Sequence, residues 1–370
     1  MYIKRFRAEN FRNIESCEID FYPGVNVLGG KNAQGKTNAL EGIYYFARGK
    51  SFRAAKDADM VRFGENGFSI GISYHGDGRD QTLSYELTEG TRTRHRNGVR
   101  LSKLSDMIGS FRAVLFHPEH LQIIKAGPDG RRELLNVAIS QSDKSYLYFC
   151  TEYNKILENR NYLLKTAQKG GYVDQNELLA WGEKMAEVAT AIYLRRKKYV
   201  EGLSPFAEEL MKEISSDKER LSLSYVADVT GESETEIKEA YRRIFSQNLP
   251  RETAAGCSLF GIHRDDLEIE INGVSARQFA SQGQQRSSVL AIKLAEGEYS
   301  HALTGEYPVF LFDDVLSELD EGRRQFVLSE MKEKQLILTS CEALEGDRGY
   351  HKISVDGGSY VFTHRERTDG

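Results

Sequence analysis

Residues 24–47 read GVNVLGGKNAQGKTNALEGIYYFA. Val25 and Val27 alternate ahead of paired glycines, and Leu40, Ile43, Tyr44 and Ala47 fall at helical spacing, which predicts a strand, a glycine loop and a helix. Within the segment, Gly30–Thr37 (GKNAQGKT) fits G-x-x-x-x-G-K-[ST]. In this pattern the glycines let the backbone curl around phosphate groups. The N–H groups from Gly30 through Asn32, Ala33, Gln34 and Gly35 to Asn38 in the first helical turn cradle the oxygens. Lys36 reaches the β and γ phosphates, and the Thr37 hydroxyl ligates a magnesium ion.

A magnesium nucleotide in such a loop also needs a carboxylate on a neighbouring buried strand. Residues 308–314 (PVFLFDD) supply one: Val309 to Phe312 are apolar without a break, as in a strand covered on both faces, and Asp313 emerges at its C-terminal end. Asp313 is the expected metal ligand and Asp314 the group that positions the attacking water. A second anion site is signalled by SQGQQR (281–286), which has no apolar period. It leads into a segment whose Val289, Leu290, Ile292 and Leu294 share one helical face, so it occupies a helix N-terminus.

The chain has 370 residues, is 40% hydrophobic and carries a net charge of -5. It is long enough for a large domain with a subdomain, and any nucleic-acid binding must rest on a local basic surface. No stretch approaches a membrane span, and charges run through MYIKRFRAENFRN (1–13) where a secretory leader needs apolar residues, so a cytoplasmic, non-membrane protein is expected. Cys17, Cys150, Cys257 and Cys341 are scattered without metal or disulfide spacing.

Two alternating runs between Phe68 and Leu87, with a further turn at Asn97-Gly98, predict an antiparallel sheet. Residues 131–215 turn helical, interrupted at Lys169-Gly170-Gly171, which implies two long helices. Tyr153, Leu157 and Leu164 on the first, and Leu178, Trp181, Met185, Val188 and Ile192 on the second, suggest a packed seam of a helical lobe rather than a long coiled coil. Strands return at 221–225, 267–273, 308–314 and 335–340, giving an α/β core. The organisation expected is 1–130 as the N-terminal part of a nucleotide-binding unit with the phosphate loop and an antiparallel β subdomain, 131–250 as an inserted helical arm, and 251–370 as the C-terminal part of that unit, which the resemblance described next makes an ATPase head.

The order of ENFRNI (9–14), GKNAQGKTNALEGIY, FHPEHLQIIKAGPDGRR (116–132), GIHRDD (261–266), SQGQQR and LFDDVLSELD (311–320) resembles the RecF family, DNA-repair ATPases related to the SMC proteins. The resemblance covers essentially the whole chain. It implies an ATP-binding-cassette, SMC-like head with an inserted helical lobe, and ATP and Mg2+ as cofactors. It also implies slow, DNA-stimulated hydrolysis and an ATP-dependent homodimer that closes on duplex DNA near single-strand gaps. The partners it implies are the mediators RecO and RecR, which help load recombinase in replication, recombination and the response to DNA damage. In cassette ATPases a serine-glycine signature faces the γ-phosphate held by the other protomer. SQGQQR resembles it, which assigns Ser281, Gly283 and Gln284 to the partner's nucleotide and makes Lys36, Asp314 and Ser281 the catalytic set.

Departures accompany the resemblance. Asp314 stands where cassette transporters have a longer glutamate, and no histidine follows the next strand, leaving Thr339 and Ser340 as γ-phosphate contacts by hydroxyl. Gln122 is the nearest candidate for the linker glutamine. Arg12 and Asn13 either touch the nucleotide or cap a turn, and His263, Arg264, Asp265 and Asp266 read better as an interlobe hydrogen-bonded turn than as a metal cluster. Arg92, Arg94 and Arg96, with Arg100 beyond the turn, form the best basic patch. On a strand the first three share one face at about 7 Å spacing, suited either to DNA phosphates or to a solvated edge. From the motifs alone, the ATPase subunit of a membrane transporter and a P-loop small-molecule kinase stay open as alternatives.

Overall fold

The computed structural model describes residues 1–341 and 350–364. Two compact units emerge, one of residues 1–122, 213–217 and those from 282 onward, the other of residues 123–212 and 218–281.

In the first unit, β1 (Tyr2–Phe11) and β2 (Ile14–Asp20) form a hairpin, β3 (Val25–Gly29) enters the glycine loop and α1 (Lys36–Arg48) leaves it. Strands β4 (Gly67–Gly76), β5 (Arg79–Thr88), β6 (Thr91–Arg96) and β7 (Val99–Arg100) extend the hairpin into an antiparallel sheet of order β2-β1-β4-β5-β6-β7. The period-two pattern puts Ile70, Ile72, Leu83, Tyr85 and Leu87 on one buried face, as the sequence predicts. Strand β8 (Ala113–Phe116) then starts a second sheet.

The second unit is mainly helical: α2 (Pro128–Ser142), α3 (Lys144–Gln168) and α4 (Gln175–Ser215), then β9 (Leu221–Val226), α5 (Glu234–Gln247), α6 (Leu249–Ala255), β10 (Asp266–Ile271), β11 (Val274–Ser275) and α7 (Ala276–Phe279). Three helices therefore stand where two were expected before residue 215. Asp143 breaks the run, because its carboxylate accepts the Ser145 N–H and caps α3. The seam also differs in detail. Leu178, Met185 and Ile192 are buried, whereas Trp181, Val188 and Leu157 are half-buried. The buried stripe includes two arginines: Arg160 pairs with Glu252 at 2.6 Å, and Arg196 donates to the Ile262 carbonyl and the Tyr146 hydroxyl.

Back in the first unit, α8 (Gln282–Thr304), β12 (Val309–Asp313), α9 (Glu321–Glu330), β13 (Leu336–Ser340), β14 (His351–Asp356) and β15 (Ser359–His364) complete a sheet of order β15-β14-β3-β13-β12-β8. All its strands run parallel except the edge strand β15. Helix α1 touches β1 and β4 of one sheet and β8, β12 and β13 of the other, and it is buried without a break from Ala39 to Ala47. A helix between two sheets has no solvent face, which accounts for its nearly uniform apolar sequence. Among the described residues no helix is long and apolar enough to cross a membrane.

Two buried polar side chains join these layers. Glu41, fully buried on α1, takes both Arg12 bonds at 2.9 and 2.5 Å and also holds the Ser51 hydroxyl. Arg12 thus belongs to the packing of α1, and it also donates to the Asp59 carbonyl. Gln335, just before β13, accepts the Ile3 N–H at 2.6 Å and donates to the carbonyls of Ile3 and Tyr22, both at 2.8 Å. Replacing this amide strands buried backbone groups that have no water to turn to. Gln335→Leu is therefore expected to lower stability by about 1–3 kcal/mol. In urea denaturation this reads as a lower midpoint with an unchanged slope.

Candidate phosphate-binding site

The loop between β3 and α1 is wound by positive φ angles at Ala33 (63°) and Gly35 (113°). Gly35 has no room for a side chain: a Cβ there would lie 2.9 Å from Asn13 Oδ1. Gly30 is equally confined, since its Cβ would meet the Val355 carbonyl at 2.3 Å. The loop borders a cavity of about 350 Å³, whose walls include Asn32 to Asn38, Asn13, Arg53, Asp313, Asp314, Thr339 and Cys341. The strand–loop–helix expectation thus holds, and of the loop residues named from the sequence Asn32 to Asn38 share one cavity with both aspartates, whereas Gly30 does not border it.

Inside the loop, Lys36 Nζ donates to the carbonyls of Gly30 and Lys31, the latter at 3.0 Å, and lies 3.2 Å from Cys341 Sγ. Thr37 Oγ1 donates to Asp313 Oδ1 at 2.8 Å. Strands β12 and β13 pair in parallel with Asp313 opposite Thr339, so the Thr339 hydroxyl also reaches Asp313 Oδ1, at 2.9 Å. The same hydroxyl accepts the Asp314 N–H at 2.8 Å. Asp314 is left-handed, with φ 53°, and its carbonyl accepts the Ser317 hydroxyl. Thr339 is therefore engaged in fixing the two aspartates, a different task from the γ-phosphate contact expected of it. Its side chain is buried between the strands.

Other residues stand differently from the sequence reading. The Gln34 side chain turns toward β14–β15, accepting the Gly357 N–H at 2.6 Å. Asn38 donates to Asn13 and accepts from Arg53 at 2.9 Å. Arg53 was not anticipated: it follows α1 with no motif to mark it, yet it borders the cavity and its charge favours the ionised form of Asp313. Gln122 is not among the residues bordering the cavity. Neither are Ser281, Gly283 and Gln284, which stand at the start of α8. There Arg286 clasps Glu318 of SELD at 2.9 Å, and Arg323 donates to the Gly283 carbonyl at 3.3 Å and to Ser287.

The arginines of β6 do share one face, but it is the inner one. Register sets Arg92, Arg94 and Arg96 opposite Leu87, Tyr85 and Leu83, all buried. Accordingly Arg92 binds Asp57 at 2.7 Å, Arg94 stacks over the Tyr85 ring and Arg96 donates to Gln81 at 2.8 Å. Arg94 and Arg96 are half-buried, whereas Arg92 at the end of β6 and Arg100 on β7 are exposed. The GIHRDD turn is likewise internal. Asp266 takes a bidentate Arg131, Asp265 accepts the Tyr225 hydroxyl and His263 meets the Tyr153 hydroxyl at 2.8 Å. All these partners lie in the second unit. Burial lowers His263 to about 4 and raises Asp265 to about 6, the behaviour of groups held by a core.

Burial raises the Asp313 pKa above the usual carboxylate range, against the opposing hydrogen bonds from Thr37 and Thr339. A carboxyl raised on folding binds its proton more tightly in the native state, so its contribution to stability falls as pH rises through its titration. Asp313→Asn keeps both hydroxyl bonds without the charge. It is expected to raise the melting temperature by about 2 °C at pH 8. The gain over wild type should shrink toward pH 4, as followed by calorimetry in the absence of nucleotide.

Comparison with known proteins agrees with this geometry. The model of the "RecF/RecN/SMC N terminal domain" matches residues 2–344. The DNA replication and repair protein RecF of Clostridium perfringens is 36% identical over 363 residues, 98% of each chain. That of Lactobacillus acidophilus is 38% identical over 354 residues, 94% of this chain and 93% of its own. A solved structure of the recombination mediator RecF with ATPrS superposes with a TM-score of 0.91 at 34% identity, covering 98% of both chains. An Smc head bound to a winged-helix domain of ScpA shares the fold alone, at TM-score 0.56 and 16% identity over 98% of this chain and 97% of that one. With a phosphate loop, a facing pair of aspartates and relatives that match it nearly end to end, the chain belongs to the RecF family of the RecF/RecN/SMC group.

Proposed function

We propose that this chain is an ATP-dependent DNA-binding protein of recombinational repair. The observation that carries the reading is the 2.8 Å bond from the loop hydroxyl of Thr37 to Asp313, inside a cavity bordered by the Gly30–Thr37 loop. Two hard oxygens so placed suit Mg2+, which when bound would supply charge neutralisation to the phosphate chain. Thr37 and Asp313 would hold it, and this is the reason for keeping a carboxylate in a site where its charge is unfavourable.

Lys36 and the loop amides bind the phosphate chain, and Asp314 orients the attacking water. Thr339 and Ser317 fix the Asp314 backbone, so the carboxylate acts from a set position. The shorter reach of aspartate is consistent with slow turnover. Ser281, Gly283 and Gln284 at the α8 N-terminus receive the γ-phosphate of a second protomer. ATP thereby stabilises a closed homodimer by binding it better than the open form. In the cytoplasm the closed dimer holds duplex DNA at a single-strand junction and acts with RecO and RecR; the solved relatives are described as belonging to the RecFOR pathway. The transporter and kinase readings are set aside because the relatives matching nearly the whole chain are replication and repair proteins. With its arginines bound to their own chain, the β6–β7 hairpin fits a charged sheet edge better than a DNA surface.

Sedimentation with ATP or ADP, each with and without duplex DNA, tests the scheme: a dimer is expected only with ATP, and DNA should increase it. Lys36→Met is expected to weaken ATP binding by about 10- to 100-fold in titration calorimetry, since a charge-assisted contact to phosphate is lost. Wild-type affinity in that variant would remove the loop from the mechanism. Ser281→Arg should bind ATP normally as a monomer and fail to dimerise, because a bulky cation occupies the partner's docking point; dimerisation at wild-type ATP levels would overturn the assignment in trans.

A further inference from the structure

A loop that receives phosphate must keep its own carbonyl oxygens away from the anion. Two of them, on Gly30 and Lys31, face the Lys36 ammonium. The carbonyls of Gln34 and Gly35 both meet the hairpin of β14 and β15, the Gly35 carbonyl while also accepting the Asn38 and Ala39 N–H groups of α1 at 2.9 and 3.2 Å. Gly358 donates its N–H to the Gln34 carbonyl at 2.9 Å, and the Tyr360 hydroxyl donates to the Gly35 carbonyl at 2.8 Å. Gly357 donates to the Gln34 side chain at 2.6 Å. The hairpin is brought there by parallel pairing of β14 with β3, the strand that feeds the loop, in the register Ser354 opposite Gly29.

In a planar trans peptide the carbonyl and the following N–H point in opposite directions. With the Gln34 oxygen held by the hairpin and the Gly35 oxygen held jointly by Tyr360 and the first turn of α1, the N–H groups of Gly35 and Lys36 turn the other way. We propose that the β14–β15 hairpin is a working part of the nucleotide site and that Tyr360 is a positioning residue, setting the loop amides for the phosphate chain. This rests on the reading of the loop as an ATP site. Burial raises the pKa of the Tyr360 hydroxyl, which keeps it a donor across the physiological range.

The test compares wild type, Tyr360→Phe and Ile353→Val by titration calorimetry with ATP and with inorganic tripolyphosphate. Ile353 is buried on β14, and its truncation loosens the hairpin without removing a bond to the loop. Loss of one neutral hydrogen bond is expected to lower the affinity of Tyr360→Phe for both ligands by about 5-fold. The same variant should raise KM for ATP while leaving kcat within about two-fold. Ile353→Val should lower the melting temperature and keep wild-type affinity. Wild-type binding by Tyr360→Phe would overturn the proposal while leaving the ATP site standing. Affinity losses in both variants that track their melting temperatures would reduce Tyr360 to a packing role. Failure of the wild type itself to bind ATP would sink the nucleotide reading, and this proposal with it.

Discussion

The first unit is organised around the disposal of backbone carbonyls beside an anion site. Glycine at 30 and 35 lets the chain turn tightly enough to gather peptide N–H groups, but the same turn leaves carbonyl oxygens in need of donors. Lys36 serves two of them and the β14–β15 hairpin two more. The donors come from the start of α1 and from residues more than 320 positions away, so part of the loop's shape depends on assembly of the parallel sheet.

The aspartate pair shows the opposite balance. Asp313 lies at the end of a strand buried on both faces, where its charge is disfavoured, and three oxygen-centred contacts with Thr37 and Thr339 hold that corner together. A single buried hydroxyl thereby couples the proposed metal ligand to the backbone of the proposed water-positioning group. Stability is given up locally so that a hard anionic oxygen faces the loop, a common trade at functional sites.

The second unit sets buried arginines and their partners into an otherwise apolar seam. Arg160 with Glu252, Arg131 with Asp266, and Arg196 among Tyr146, Asn136 and the Ile262 carbonyl occupy positions that aliphatic residues would otherwise fill. Removing one member of such a pair strands the other in low dielectric, so the network constrains which helices pack together. It also explains the GIHRDD turn, whose acidic residues meet Arg131 and the Tyr225 hydroxyl.

Much of this was legible in the chain itself. Contiguous signals, namely the loop motif with its flanking periodicity, the four apolar residues before Asp313 and the alternation of β4 and β5, specify their own local structure, because spacing along the backbone fixes which side chains share a face. Those signals gave the mixed α/β class, the loop and the strand-end carboxylate of Asp313 that faces Thr37. The break at Asp143, the inward face of Arg92, Arg94 and Arg96, the real task of Thr339 and the presence of Arg53 and Tyr360 were decided only in three dimensions. Each depends on a partner distant in sequence. A hydroxyl or guanidinium carries no mark of which strand will lie beside it, and strand register, which a local pattern does not encode, settles whether it meets a carboxylate, a ring or water.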